Sequence, residues 1–189
     1  MRLLSYRNLR ELGLSEEQVA QIAAQFQVMD GPNDEGEMFE RNARPSDRFR
    51  SPFPNQQAAR AANNGAYPPD LSVIVKARPG GADYIYALLT GYEDPPADVT
   101  MMEGMNYNRY FPGHQIAMVA PLNPDQVEFA DGTPATVEQM ARDVTTFLAW
   151  AAEPELEQRR AMGFKVIIFL TILGGLAYAV KRKVWSDVH

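Results

Sequence analysis

From Val166 to Val180 the chain reads VIIFLTILGGLAYAV, fifteen residues without a charge. Counted back to Ala161, the apolar run reaches twenty residues and is broken only by Lys165. A helix needs about 20 such residues to cross a hydrocarbon core of ~30 Å. Lys165 sits near one end, where a long amine can snorkel to the interface. Gly174-Gly175 would weaken a helix in water but is common in membrane spans, and Tyr178 and Trp185 fall where an aromatic belt belongs. The competing reading is a core helix of a soluble protein. The cluster Lys181-Arg182-Lys183 directly after the run favours a span with positive charge on its inner side. That places the C-terminus in a cytoplasm or mitochondrial matrix and the bulk of the chain in a periplasm or intermembrane space.

Charge divides the chain in the same place. Its 189 residues carry a net charge of −6, yet residues 161–189 hold Lys165, Lys181, Arg182 and Lys183 against Asp187 alone. The body is therefore strongly acidic. It lacks the cationic surface that nucleic acid requires and suits a cationic protein partner. The acidic stretches Glu93-Asp94, Asp98 and Asp125–Asp131 could form a docking face. There is no cysteine, which excludes disulfides, thiolate metal sites and thioether-linked haem within this sequence. His114 and His189 are too far apart to suggest a two-histidine metal site. No Ser/His/Asp set or carboxylate pair stands out, so a hydrolase is the weakest functional class.

The body reads as short helices joined by long loops rich in proline and glycine. Ser15-Glu16-Glu17-Gln18 has the form of a capping box, and Val19, Ile22, Ala23 and Phe26 continue at helical spacing to about Gln27. Residues 30–57 read as one irregular stretch. Short helices are expected over Ala58–Asn63, from Pro68-Pro69 through Leu71, Ile74 and Val75, and over Asp83–Thr90. A strand pair is expected near Asn106–Tyr110 and Gln115–Val119. Thr133-Pro134 reads as N-cap and first helical residue of a helix ending near Glu153-Pro154. An acidic joint follows, and the expected divisions are a soluble domain 1–157, an anchor 158–183 and a tail 184–189. Small helices wrapped by loops suit a large buried cofactor that supplies missing apolar volume.

Several stretches carry a resemblance. They are DGPNDEGEMFERNARPSDRF (30–49), PNQQAARAANNGAYPPDLSVIVKAR (54–78), GGADYIYALLTGYEDPP (80–96), YFPGHQIAMVAPL (110–122), DGTPATVEQMARDV (131–144) and AAEPELEQRRAMG (151–163). In this order they resemble cytochrome c1, the membrane-anchored haem c subunit of the ubiquinol–cytochrome c oxidoreductase (bc1) complex, over nearly the whole chain. The resemblance implies a mainly α, cytochrome-c-like helical domain with long loops and one C-terminal transmembrane helix. It implies one haem c, with electrons passing from the Rieske iron–sulfur protein to soluble cytochrome c beside the cytochrome b subunit of a respiratory or photosynthetic chain. The subunit would be no enzyme by itself.

The family's axial methionine falls a few residues after its YFPG-like motif, and the matching residue here is Met118. A thioether is a soft neutral iron ligand that raises haem potential when paired with histidine. Arg78 and Tyr84 match positions that contact the haem propionates, and Asn63 and Pro69 match pocket positions. His114 matches no ligand position and reads as surface or structural. The family's CxxCH attachment motif and its axial histidine lie upstream of the YRNL-like stretch, which here is Tyr6-Arg7-Asn8-Leu9. The expectation is a fragment or an internally started product. Otherwise the chain is a short homologue, and a haem-free, membrane-anchored assembly or scaffold subunit becomes the reading.

Overall fold

A computed structural model of the chain describes residues 1–186; Asp187, Val188 and His189, the end of the expected tail, lie outside the described residues. The chain forms two compact units, Met1–Glu153 and Pro154–His189.

In the first unit a 3-10 helix over Tyr6–Leu12 precedes α1 (Glu16–Ala24). The capping box at the start of α1 forms as its sequence requires. The Gln18 N–H donates to Ser15 Oγ at 3.2 Å and the Ser15 N–H to Gln18 Oε1 at 2.8 Å. The helix ends at Ala24, short of Gln27, because the chain turns into β1 (Gln27–Asp30), antiparallel to β2 (Phe39–Asn42). The stretch read as irregular from residue 30 thus contains half a hairpin. Arg41 ties this hairpin to the following turn, donating to Asp30 and, at 2.6 Å and 3.1 Å, to both carboxylate oxygens of Asp47. The hydrogen bonds from Arg41 hold both carboxyls below their ordinary range.

α2 spans Gln56–Ala62, α3 Gly81–Thr90 and α4 Val137–Ala152. The N-cap of α4 is Thr136, whose Oγ1 accepts from the Gln139 N–H at 3.2 Å, and not Thr133. Thr133 instead donates its N–H to Asp131 Oδ1 at 3.0 Å, which keeps it in the preceding turn. The helix expected from Pro68-Pro69 is replaced by consecutive turns. Asp70 breaks it by drawing in the N–H groups of Ser72 (2.7 Å) and Arg2 (3.0 Å). The short ladder β3 (Asn106–Tyr107) and β4 (Gln115–Ile116) is antiparallel, with Asn106 opposite Ile116. It falls where the strand pair was expected, though each strand is shorter.

Two hydrophobic clusters hold this unit. One gathers Tyr6, Leu9, Val19, Ala23 and Ala43, with Phe49 and Trp150 against it. Tyr6 is 1% exposed and stacks on Phe49 and Phe26, with ring centroids 4.6 Å and 5.6 Å away. The other gathers Ile74, Ile85 and Leu148, with Tyr84, Val144 and Phe147 packed on it where α3 meets α4. α4 serves both, through Trp150 in the first and Leu148 in the second.

The second unit is dominated by α5, Leu156–Val184. Its 29 residues span about 44 Å at 1.5 Å per residue. It is the one helix among the described residues long and apolar enough to cross a membrane, and it is exposed along its length. The molecule is thus mainly helical with a C-terminal helix of membrane-spanning character.

Removing the Tyr6 ring empties the centre of the first cluster. Tyr6→Ala should destabilise the Met1–Glu153 unit by about 3 kcal/mol or more, read by chemical denaturation, whereas Tyr6→Phe should cost far less. Burial raises the Asp70 carboxyl, but the Ser72 hydroxyl and N–H and the Arg2 N–H outweigh it and bring it down to about 2. The ordinary value is 3.8, so Asp70 stabilises the fold above pH ~4, and this contribution is lost as pH falls toward 2. Asp70→Asn should flatten that part of the acid-unfolding profile.

Candidate functional site

The site is built on the C-terminal end of α3. Gly91 is the C-cap of that helix, and nothing larger fits there. A Cβ there would lie 2.6 Å from the Tyr110 ring, 2.8 Å from the Ala87 carbonyl oxygen and 3.1 Å from Asn108 Oδ1. The Gly91 carbonyl accepts the Arg109 N–H at 2.9 Å. Asn108 is fully buried, and its side chain is used at both ends. Its amide donates to the Leu88 carbonyl at 2.8 Å, and its oxygen accepts the N–H groups of Tyr110 (3.1 Å) and Phe111 (3.2 Å). One side chain therefore fastens the loop 108–114 to the last turn of α3.

That loop closes on itself. The Asn108 N–H donates to the His114 carbonyl at 3.0 Å and the His114 N–H to the Phe111 carbonyl at 2.8 Å. Gly113 and His114 both take positive φ, 79° and 61°, so the chain reverses there and enters β4. His114 is exposed and stacks on Tyr107 with centroids 5.8 Å apart, a structural place in the turn.

Met118 follows two residues after β4 and is 40% exposed. Its carbonyl oxygen accepts from the Tyr92 hydroxyl at 3.1 Å and from the Asn106 amide at 3.3 Å. Burial pushes the Tyr92 phenol up to about 12, so it remains a neutral donor across the physiological range. Tyr92 and Asn106 also line a cleft of about 530 Å³, together with Glu93, Met101, Met105 and Tyr107.

The other expected site residues lie elsewhere in the unit. Tyr84 is half-buried on α3, against Ile74, Ile85 and Leu148. Arg78 is exposed in the turn before α3 and spends one N–H on the Ala77 carbonyl at 3.1 Å. Asn63 is the C-cap of α2 and donates its amide to the Ala59 carbonyl at 2.7 Å. Pro69 is exposed beside Asp70. Between them Tyr67 accepts from Arg2 at 2.8 Å and lies under the Arg60 guanidinium. Among the described residues, no hydrogen bond, ion pair or ring contact joins Met118 to these four.

The donor set fits a haem in its chemistry. A soft sulfur is presented on a backbone held by two hydrogen bonds, and an exposed guanidinium suits a carboxylate. Leu71, Val73 and Val119 are 43%, 37% and 67% exposed, apolar surface that a flat apolar group would cover. Among the described residues there is no cluster of histidine, cysteine and carboxylate for a simple metal ion.

Sequence reasoning did not find Asn108, Asn106 or Tyr92. A signal existed for Asn108: an asparagine ahead of Tyr110-Phe111-Pro112-Gly113 is an Asx-turn pattern, and its oxygen does accept the N–H two residues on. Nothing local marks Tyr92 or Asn106, which act across 26 and 12 residues of chain. Asn108→Leu should destabilise the unit by about 1–2 kcal/mol, because the Leu88 carbonyl and the Tyr110 N–H lose the partner that the Asn108 side chain gives them. Hydrogen exchange should show that loss concentrated at Arg109–His114.

Comparison with known sequences gives a consistent result. The family model described as Cytochrome C1 family matches residues 1–188. Cytochrome c1 1, heme protein, mitochondrial, of Arabidopsis thaliana is 54% identical over 186 residues, 98% of this chain and 61% of its own length. Cytochrome c1 of Rhodospirillum rubrum is 46% identical over 204 residues, covering all of this chain and 75% of its own. Cytochrome b/c1 of Bradyrhizobium diazoefficiens is 51% identical over 98% of this chain, which matches 30% of that longer protein. The chain thus spans about three fifths of the Arabidopsis relative.

Proposed function

The chain belongs to the cytochrome c1 family, and from that premise we propose that it is the greater part of the haem-bearing, electron-transferring subunit of a bc1 complex. Haem c, when bound, supplies the one-electron iron couple. This chain's residues hold and tune it. Met118 gives iron a neutral sulfur ligand, which favours the reduced form and a high potential. Arg78 pairs with a propionate and Tyr84 donates to one, while Asn63 and Pro69 line the pocket. The sequence has no cysteine, so covalent attachment would come from outside these 189 residues.

The acidic body supports docking of a basic soluble cytochrome c by charge steering, and Glu93, Asp94 and Asp98 stand on one loop for it. The electron donor in this reading is the Rieske protein, and α5 lies beside the cytochrome b subunit. Residues 1–157 form the soluble domain, 158–183 the anchor and 184–189 the tail. Lys181, Arg182 and Lys183 set the C-terminus on the cytoplasmic or matrix side, leaving the domain in the periplasm or intermembrane space. The chain makes and breaks no bond of its own.

The observation that carries this reading is Met118, an exposed thioether on a doubly anchored backbone at the position matching the family's ligand. In the full-length haem-loaded protein, Met118→Ala should abolish the red absorption band of thioether-ligated ferric haem. It should also lower the midpoint potential by at least ~0.1 V, within the ~0.8 V range that axial ligands span. An unchanged band and potential would remove the assignment. A native protein without a pyridine haemochrome spectrum would point to the haem-free scaffold instead.

A further inference from the structure

We propose that Tyr92 and Asn106 are positioning residues for Met118: their two hydrogen bonds to its carbonyl hold the loop after β4 so that the thioether stays on iron. This rests on the reading of Met118 as ligand and adds what keeps it there.

The β3–β4 ladder ends at Ile116, which is buried, while Ala117, Met118, Val119 and Ala120 are exposed. Past Ile116, strand pairing no longer fixes the backbone. The next hold is at Met118, where the Tyr92 hydroxyl and the Asn106 amide meet one carbonyl oxygen from two different elements. A carbonyl has two lone pairs, so both donors can be satisfied together.

Each donor is itself fastened. Tyr92 directly follows Gly91 at the end of α3 and forms an antiparallel bridge with the buried Asn108. Asn106 lies in β3 opposite Ile116, and its amide also reaches the Ile116 carbonyl at 3.5 Å. The position of Met118 is thus referred to α3 and to β3 at once. Its side chain takes no part in that anchoring and remains available. A ligand on a loop loses its metal whenever the backbone swings, so two such bonds translate into occupancy of the iron–sulfur bond.

The sensitive readout is competition by an outside ligand. Imidazole binds ferric haem only when the thioether has left, so its apparent affinity reports how often that occurs. One net hydrogen bond corresponds to about a fivefold change in such an equilibrium. In the full-length haem-loaded protein, Tyr92→Phe and Asn106→Ala should each tighten imidazole binding about fivefold, and the pair more than tenfold. Amide exchange at residues 117–120 should quicken in parallel. Tyr92→Phe keeps the ring in the cleft wall, so it carries the test if the double variant does not hold haem. A purely structural role would lower the thermal midpoint without changing imidazole affinity.

Met118→Ala is the reference. If it tightens imidazole binding strongly while the Tyr92 and Asn106 variants stay within twofold of the parent, the positioning role is overturned and the ligand assignment stands. If Met118→Ala also leaves imidazole affinity unchanged, the ligand assignment falls and the positioning role with it.

Discussion

The Asn108 side chain joins the end of α3 to the loop that leads to Met118, and the order of the whole site follows from it. A buried amide is costly unless all its groups are paired, and here the Leu88 carbonyl and the N–H groups of Tyr110 and Phe111 pair them. The arrangement leaves no room beside it, which is why Gly91 must be glycine. With α3 and the loop locked, Tyr92 emerges at a fixed place, and so does the hydroxyl that reaches Met118. Fold and candidate function therefore meet in one hydrogen-bonded seam at the end of a single helix.

Away from that seam the first unit is thinly held. Its clusters are built on five and three buried residues, and long loops between the helices leave Leu71, Val73 and Val119 exposed. In the proposed reading a haem covers part of that exposed apolar surface. α5 has the opposite character: it is long and apolar enough to cross a membrane, and none of its residues is buried.

Much of this was legible in the residues because it rests on local rules. The apolar run of 161–180 foretells α5, the Ser15–Gln18 box starts α1, and the periodic apolar positions from Val137 to Ala151 give α4. Where a distant partner decides, the sequence misleads. Pro68-Pro69-Asp70 has the form of a helix start, but Asp70 turns to Arg2 and Ser72 instead. The β1–β2 hairpin is hidden because Arg41, Asp30 and Asp47 organise it through side chains. At the site, Met118 is singled out only by the resemblance, since one methionine among nine carries no mark of its own. Tyr92 and Asn106 act only once the loop has folded back over them.

Everything proposed for the site depends on which methionine meets the iron. The most direct measurement is NMR of the reduced, haem-loaded protein with 13C-labelled methionine methyls. One methionine methyl resonance should be displaced far upfield by the haem ring current. That methyl should show through-space contact with Val119. Methionine methyls all in the ordinary range, or an upfield methyl belonging to a methionine other than Met118, would contradict that assignment.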